Sequence, residues 1–423
     1  MGAEPRSRGA RRRARHALRR PAPALLPLAC ALALPGCLGA ASEPERTLVE
    51  GERATVLASL PRHGVSADAA RAVEAGARLA LAEAGGRAGG LRVRLLTRSS
   101  TERAELLWDP DLVSANAEWA ANDPTTIAYL GELDYGASAV SLPITNEARI
   151  LQVSPADGLT SLTRTPPGRP RSSPVRLRPS GRRSFVRLTP NDLLQAETLL
   201  ALLRAEGATR LAIVFDQEVY GRELAAMLVA RGRRDGPAPV RDEEYRGEVH
   251  EIPDIARSLA DAQPDAVVYA GVAGPGTGRM LAAIDSRMPG VPVYGTSGML
   301  ARSPEAPVPA APARVHALTP LLPASRLGAA ARRVRARMRA AAGAAAAARP
   351  EALYGYEAMR LVLDAVAEGG RDREQVIRAA LRIRERDSSL GALRIRATGD
   401  VENDRFALHS LSDGRFELDR LVP

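Results

Sequence analysis

A chain of 423 residues, 45% hydrophobic but only 3% aromatic, is long enough for two globular domains whose cores must be built mainly from Ala, Leu and Val. Its net charge of +10 invites a nucleic-acid reading, yet residues 1–36 hold eight Arg against one Glu, and residues 163–187 hold eight Arg and no acid. The basic character therefore sits in two local runs and the remainder is mildly acidic, which argues against a nucleic-acid partner, because phosphate binding needs a basic face over a folded domain.

In chain order, a basic stretch from Arg11 to Arg20 precedes an apolar one from Pro21 to Gly36. That run is shorter than the roughly 20 residues of a membrane-spanning helix and is broken by prolines, so residues 1–36 read as an export signal. Its end, Leu34-Pro35-Gly36-Cys37, resembles the bacterial lipobox, which implies a lipid on Cys37 and anchoring to the outer face of the cell membrane; a plain signal peptide with a chance cysteine is the other reading. Cys30 and Cys37 are the only cysteines, so the mature body has no intramolecular disulfide and no thiolate nucleophile or metal ligand. Residues 37–50 read as a tether.

Ala54 to Leu60 then reads as a buried strand followed by the loop Pro61-Arg62-His63-Gly64, and Ala67 to Ala84 as a helix with Ala70, Val73, Ala77 and Leu81 on one face. The glycines of 85–90 end that helix instead of joining a strand to one, so they are a C-terminal turn and not a dinucleotide fingerprint. Leu91 to Leu96 is a strand and Asp111 to Ala121 a helix. Thr125 to Gly158 then repeats the unit: strand Ile127–Leu130, loop 131–136, a helical crossover interrupted by Pro143, strand Ile150–Val153 and loop 154–158. Two parallel strands joined by a helix put both loops at one carboxyl edge, where open α/β sheets bind ligands. Alternation of strand and helix continues through Asp192–Ala205, Leu211–Phe215, Ala266–Gly271, Val291–Thr296, Val315–Thr319 and Leu327–Ala348 to tail strands near 406–411 and 415–421. This pattern predicts parallel sheets with helices on both faces.

Several stretches together are similar to type I periplasmic binding proteins, the branched-chain amino acid class of ABC-transporter receptors. GELDYGAS (131–138) and ILQVSPADGLT (150–160) look like that family's paired ligand loops, and VLASLPRHG, FVRLTPNDLLQA, LAIVFDQEVYGRELA, DAVVYAGVAGPGTGRMLAAI and LYGYEAMRLVLDAV match in order. The resemblance implies two Rossmann-like α/β lobes joined by a hinge: 51–186 plus 318–400 as one, 187–317 plus 401–423 as the other. It implies an extracytoplasmic monomer that captures a branched-chain amino acid or related small polar solute by hinge closure and docks on an ABC permease. A ligand-sensing receptor of the same fold, or a member that binds a non-amino-acid solute, is the alternative. Carried over residue by residue, the ligand contacts are Asp134, Tyr135, Gly136, Ser154, Ala156, Asp157, Tyr220 and Tyr354, with His63 on the neighbouring loop. For Tyr220 and Tyr354 local packing is the competing reading, for the acids helix capping, and for His63 plain solvent exposure.

The sequence departs from the resemblance in three places. In amino-acid-binding members an acid after the Ala266–Gly271 strand pairs with the ligand's ammonium, but Ala270 to Ile284 contains neither Asp nor Glu. Asp134, Asp157 or Glu132 would substitute, or the ligand is not a simple α-amino acid. Tyr135 stands where a small hydroxyl residue is usual and would narrow the pocket. Residues 163–184, with five prolines and many arginines, read as an inserted solvated loop, with docking of an acidic partner as the other reading. The turn GVAGPGTGR invites a phosphate, yet the chain contains no lysine, so it is no P-loop. His16, His63, His250, His316 and His409 are scattered singly, and no nucleophile–base pairing is visible, so neither an enzyme nor a cofactor or metal is expected.

Overall fold

The computed structural model describes residues 47–103, 107–169, 174–274, 276–300 and 314–423. The expected export signal, Cys37 and residues 37–46 of the tether lie outside these. Residues 47–50 belong to the folded body: Val49 is fully buried, Leu48 bridges Asp372, and the Arg371 guanidinium donates to the Val49 carbonyl, so the chain is docked from Thr47 onward.

Two sheets define two lobes. The first runs in the order β2 (Arg87–Ala88), β3 (Leu91–Ser99), β1 (Arg53–Leu60), β4 (Thr126–Leu130), β5 (Leu151–Ser154), β6 (Phe185–Arg187), and only the β2–β3 pairing is antiparallel. β1, β4, β5 and β6 are buried on both faces, as parallel strands flanked by helices must be, whereas β2 and β3 at the sheet edge are partly exposed. On one side lie α1 (Ala67–Glu83), α8 (Ala329–Ala348), α9 (Glu351–Gly369) and α10 (Arg373–Leu381), around a core rich in alanine. Small residues let backbones approach: a Cβ at Gly76 of α1 would lie 2.0 Å from the Ala352 carbonyl oxygen, and one at Gly355 of α9 would lie 2.1 Å from that of Val73. On the other side, α2 (Pro110–Asn122) starts with Asp109 accepting from the amides of Asp111 and Leu112, and α3 (Ser138–Glu147) carries Pro143 in its interior.

In the second lobe the order is β15 (Arg415–Val422), β14 (Phe406–Ser412), β11 (Val315–Thr319), β10 (Val293–Gly295), β9 (Ala266–Ala270), β7 (Arg210–Asp216), β8 (Ala238–Tyr245). Its five strands from β11 to β8 are parallel; the tail strands β14 and β15 add an antiparallel hairpin. The hairpin closes through Asp413 and Gly414, both at positive φ, as a two-residue turn between right-twisted strands requires. Helices α4 (Asp192–Ala205), α5 (Val219–Asp235), α6 (Ile252–Asp261) and α7 (Thr277–Arg287) cover the sheet's faces.

The inserted stretch differs from the expected solvated loop. Residues 174–177 form a turn of 3₁₀ helix, and Leu177 packs against a cluster of Leu142, Leu159, Leu162 and Phe185. Arg182 pairs with Glu374, Arg164 with Asp400, and a Cβ at Gly168 would lie 2.8 Å from the Ala226 carbonyl of α5. Proline fixes the backbone of this loop and a few anchors dock it, so it needs little apolar surface of its own.

Candidate ligand-binding site

In the first sheet β1 pairs with β3 on one side and β4 on the other, and in the second β7 pairs with β8 on one side and β9 on the other. At such reversals of strand order the loops at the carboxyl ends splay apart and leave a crevice. Both crevices open into one cavity of about 330 Å³, a usual size for a small-molecule site. Val65 and Ser66 after β1 and Leu133, Asp134 and Tyr135 after β4 wall it from the first lobe. Glu218 and Tyr220 after β7, with Val272 after β9, face them from the second.

Tyr135 and Tyr220 meet across the cavity wall. Their rings stack with centroids 4.4 Å apart and planes at 22°. The Tyr220 hydroxyl donates to Gln195 Oε1 at 3.2 Å, and Gln195 in turn donates to Ser297 Oγ and to the Leu318 carbonyl, which fixes the ring from beneath. Further contacts join the lobes beside the stack: the Ser161 amide donates to Glu223 Oε1 at 3.0 Å, and the Leu193 amide to Thr160 Oγ1 at 2.9 Å.

Of the residues singled out from sequence, Asp134, Tyr135, Ala156 and Tyr220 line the cavity, whereas His63, Gly136, Ser154, Asp157 and Tyr354 are outside its lining. Ser154 Oγ donates to the Glu132 carbonyl and accepts from the Asp157 amide, so its hydroxyl is internal to the loop. Asp157 is fully buried and accepts from the amides of Gly136, Ser138 and Leu159, holding the two first-lobe loops together. The Tyr354 hydroxyl donates to the Pro320 carbonyl and accepts from the Leu322 amide, which pins the chain where it returns to the first lobe. The His63 amide donates to Thr101 Oγ1.

Burial sets the charge state of the loop acids. It raises the Asp134 carboxyl to about 6, with Ser66 holding it down and Asp157 adding to the rise. Glu132, 1% exposed, is raised to about 8 by burial despite a 2.5 Å hydrogen bond from the Tyr129 hydroxyl. After β7, burial lifts Asp216 to about 6, and this carboxylate accepts from the Val272 amide at 2.7 Å. With the Gly274 amide donating to Thr277 Oγ1, two N–H groups of the Gly-rich turn are thus committed within the protein.

Where two crossings run side by side, Arg187 is completely buried. Its Nη1 donates to the carbonyls of Asp157 and Leu159, Nη2 donates to Thr163 Oγ1, and Nε lies 3.0 Å from Asp400 Oδ1 in an ion contact without hydrogen-bond alignment. Burial acts to raise the Asp400 carboxyl, but Arg187, Thr163, Thr398 and Arg164 together hold it below its ordinary value. The clamp ties the second ligand loop to both crossings.

Sequence reasoning missed Arg349 and Glu351, at the turn between α8 and α9, and His409 and Phe416 of the tail hairpin; all four line the cavity. Nothing local marks them, since Glu351 reads as an ordinary acid in a first helical turn. Among the described residues no group of three His, Cys, Asp or Glu is placed to hold a metal ion, and no helix is long and apolar enough to cross a membrane.

Two α/β lobes with a solute-sized cavity between their switch-point loops define a ligand-capturing receptor fold. The sequence pattern of the periplasmic binding protein family matches residues 55–414, and the chain belongs to that family. Its fold is that of the type I class. A leucine-binding protein LivK from Thermotoga maritima superposes with a TM-score of 0.71 at 18% identity, over 87% of this chain and 98% of that one. An ABC-transporter substrate-binding protein from Desulfitobacterium hafniense in complex with Leu gives 0.68 at 20% identity, over 87% and 100%. A solute-binding protein from Rhodopseudomonas palustris HaA2 in complex with p-hydroxybenzoic acid gives 0.70 at 17% identity, over 87% and 95%. No curated protein matches the chain by sequence.

Proposed function

We propose that the chain is the extracytoplasmic solute receptor of an ABC importer, tethered through a lipid on Cys37, and that it delivers a small solute with an apolar body to a membrane permease. The observation that carries this reading is the cavity itself. Both lobes wall it, Trp108, Leu133, Tyr135, Val272, Met299 and Phe416 make it largely apolar, and a few polar groups converge on it. A ligand that touches both lobes favours the closed form by its difference in affinity between the open and closed forms, which is the thermodynamic content of hinge closure. Residues 51–186 with 318–400 and residues 187–317 with 401–423 would be the moving bodies, and the Arg187–Asp400 clamp lies where they join.

Two structural neighbours divide the candidate ligands: the Desulfitobacterium protein holds leucine and the Rhodopseudomonas protein an aromatic acid. Absence of an acid from 270–284 favours the second class, and a branched-chain or related amino acid remains the first. Thermal-shift measurement of the purified protein against branched-chain amino acids, their deaminated acids and hydroxybenzoates tests the reading. A ligand at 100 times its dissociation constant adds about 2.7 kcal/mol of stability. A midpoint that rises with at least one of these compounds supports a solute receptor, and a midpoint unmoved by all of them opposes it.

A further inference from the structure

We infer that the arginine face of the inserted stretch, Arg176, Arg178, Arg182 and Arg183, docks on the anionic head groups of the phospholipid bilayer to which the chain is tethered. Export and the lipid on Cys37, as read above, bring a bilayer within reach; the solute cavity takes no part. Arg182 Nη1 lies 2.8 Å from Glu374, but that carboxylate also takes Arg149 at 3.4 Å and Arg378 at 3.9 Å, so one acid faces three guanidinium groups. Among the described residues no acid pairs with Arg176, Arg178 or Arg183. Arg178 Nε donates to the Pro174 carbonyl, and Arg183 Nη1 to that of Thr398. Burial and the neighbouring charge of Arg183 both lower the proton affinity of Arg178, as happens when like charges are held together with no anion between them. Even with Glu147, the exposed acid that ends α3, the acids of this edge are fewer than its cations.

The tether leaves the body at the same edge. The Arg373 amide donates to the Thr47 carbonyl at 2.9 Å, and the next residue, Glu374, holds Arg182. Arg182 and Arg183 lead into the amino end of β6, and residues 47–52 into that of β1, so both lie at the strand edge opposite the ligand loops. Between Cys37 and Thr47 the chain spans at most about 35 Å when fully extended, and about 17 Å on average if flexible. A lipid on Cys37 therefore keeps these arginines close to the bilayer, where each cation strengthens partitioning about fivefold. An acidic protein would match the charge as well, but only the membrane is held near this edge by the chain itself. While the face is engaged, the cleft at the opposite edge is turned away from the lipid.

The test is co-sedimentation of the mature chain from residue 37, carrying Cys37→Ser so that no acyl group contributes, with vesicles of mixed phosphatidylglycerol and phosphatidylcholine or of phosphatidylcholine alone. The chain should sediment with the first and not with the second, and should be released as salt rises from about 0.05 M to about 0.5 M. Arg176→Gln, Arg178→Gln and Arg183→Gln together should weaken partitioning roughly 100-fold, with circular dichroism and the thermal midpoint reporting that the fold is kept. Arg176→Glu reverses one exposed charge that serves no ion pair and should by itself weaken partitioning at least about fivefold. Removing three exposed arginines from α8, which packs on α1 and α9, by Arg333→Gln, Arg335→Gln and Arg339→Gln should leave partitioning close to wild type. Absence of sedimentation with the anionic vesicles, insensitivity to Arg176→Glu, or a loss in the α8 variant equal to that in the insert variant overturns the inference. Capture by poly-glutamate in place of vesicles also overturns it and assigns an acidic protein. The receptor reading stands in each of these cases, because solute binding decides it.

Discussion

The protonation of Glu132 couples the first ligand loop to pH. Its side chain is sealed beneath that loop, taking a 2.5 Å hydrogen bond from Tyr129, while its amide donates to Ser138 Oγ and its carbonyl accepts from Ser154 Oγ. In the folded chain burial keeps the carboxyl protonated up to about pH 8, against a reference value of 4.5. The folded state therefore holds a proton that the unfolded state has released, and stability that is full below the reference value is lost as pH rises toward the folded one. At about 1.4 kcal/mol per pH unit, the loss from this one group between pH 6 and pH 8 is about 2 kcal/mol. Other buried acids, Asp134 and Asp216 among them, shift in the same direction, so the wild-type profile alone does not isolate it. Glu132→Gln keeps the shape and removes the titration. Urea midpoints of wild type and variant at pH 6 and pH 8 should show the wild type losing about 2 kcal/mol more than the variant. Parallel pH dependences in the two proteins would refute the assignment of a buried neutral carboxyl.

Asp400→Ala leaves the guanidinium of Arg187 buried with its counter-charge gone and should cost about 3–5 kcal/mol in denaturant unfolding. Gly76→Ala drives a methyl group into the Ala352 carbonyl at the closest approach of α1 and α9 and should destabilise by about 3 kcal/mol, read as a fall in the thermal midpoint. Asp372→Ala removes the cap that accepts from the amides of Glu374 and Gln375 and should cost about 1 kcal/mol.

Much of the architecture was legible because parallel strands buried on both faces leave short apolar runs that end in Gly or a polar turn, as Ile127–Leu130 does before Gly131. The loops at the switch points follow from strand order alone, which is why Asp134, Tyr135 and Tyr220 could be placed near a site. Edge strand β8 escaped notice because half its residues are charged and nearly none is fully buried, so its composition is that of a loop. The docking of 163–184 depends on Leu177 and on partners more than 190 positions away, such as Glu374 and Asp400, which no local pattern reveals. Glu351 is legible as a cavity residue only in three dimensions, because what brings it there is the return of the chain between α8 and α9, which leaves no trace in composition or period. Tyr354 has the same ambiguity resolved locally, since its hydroxyl meets two backbone groups of the 320–322 crossing.

Hydrogen–deuterium exchange with and without the tightest-binding compound of the panel bears most directly on capture of a solute between the lobes. The account predicts simultaneous protection of 131–138 and 349–354 in the first lobe and of 216–221 and 296–300 in the second. Protection confined to one lobe, or appearing only at surfaces away from these loops, would contradict it.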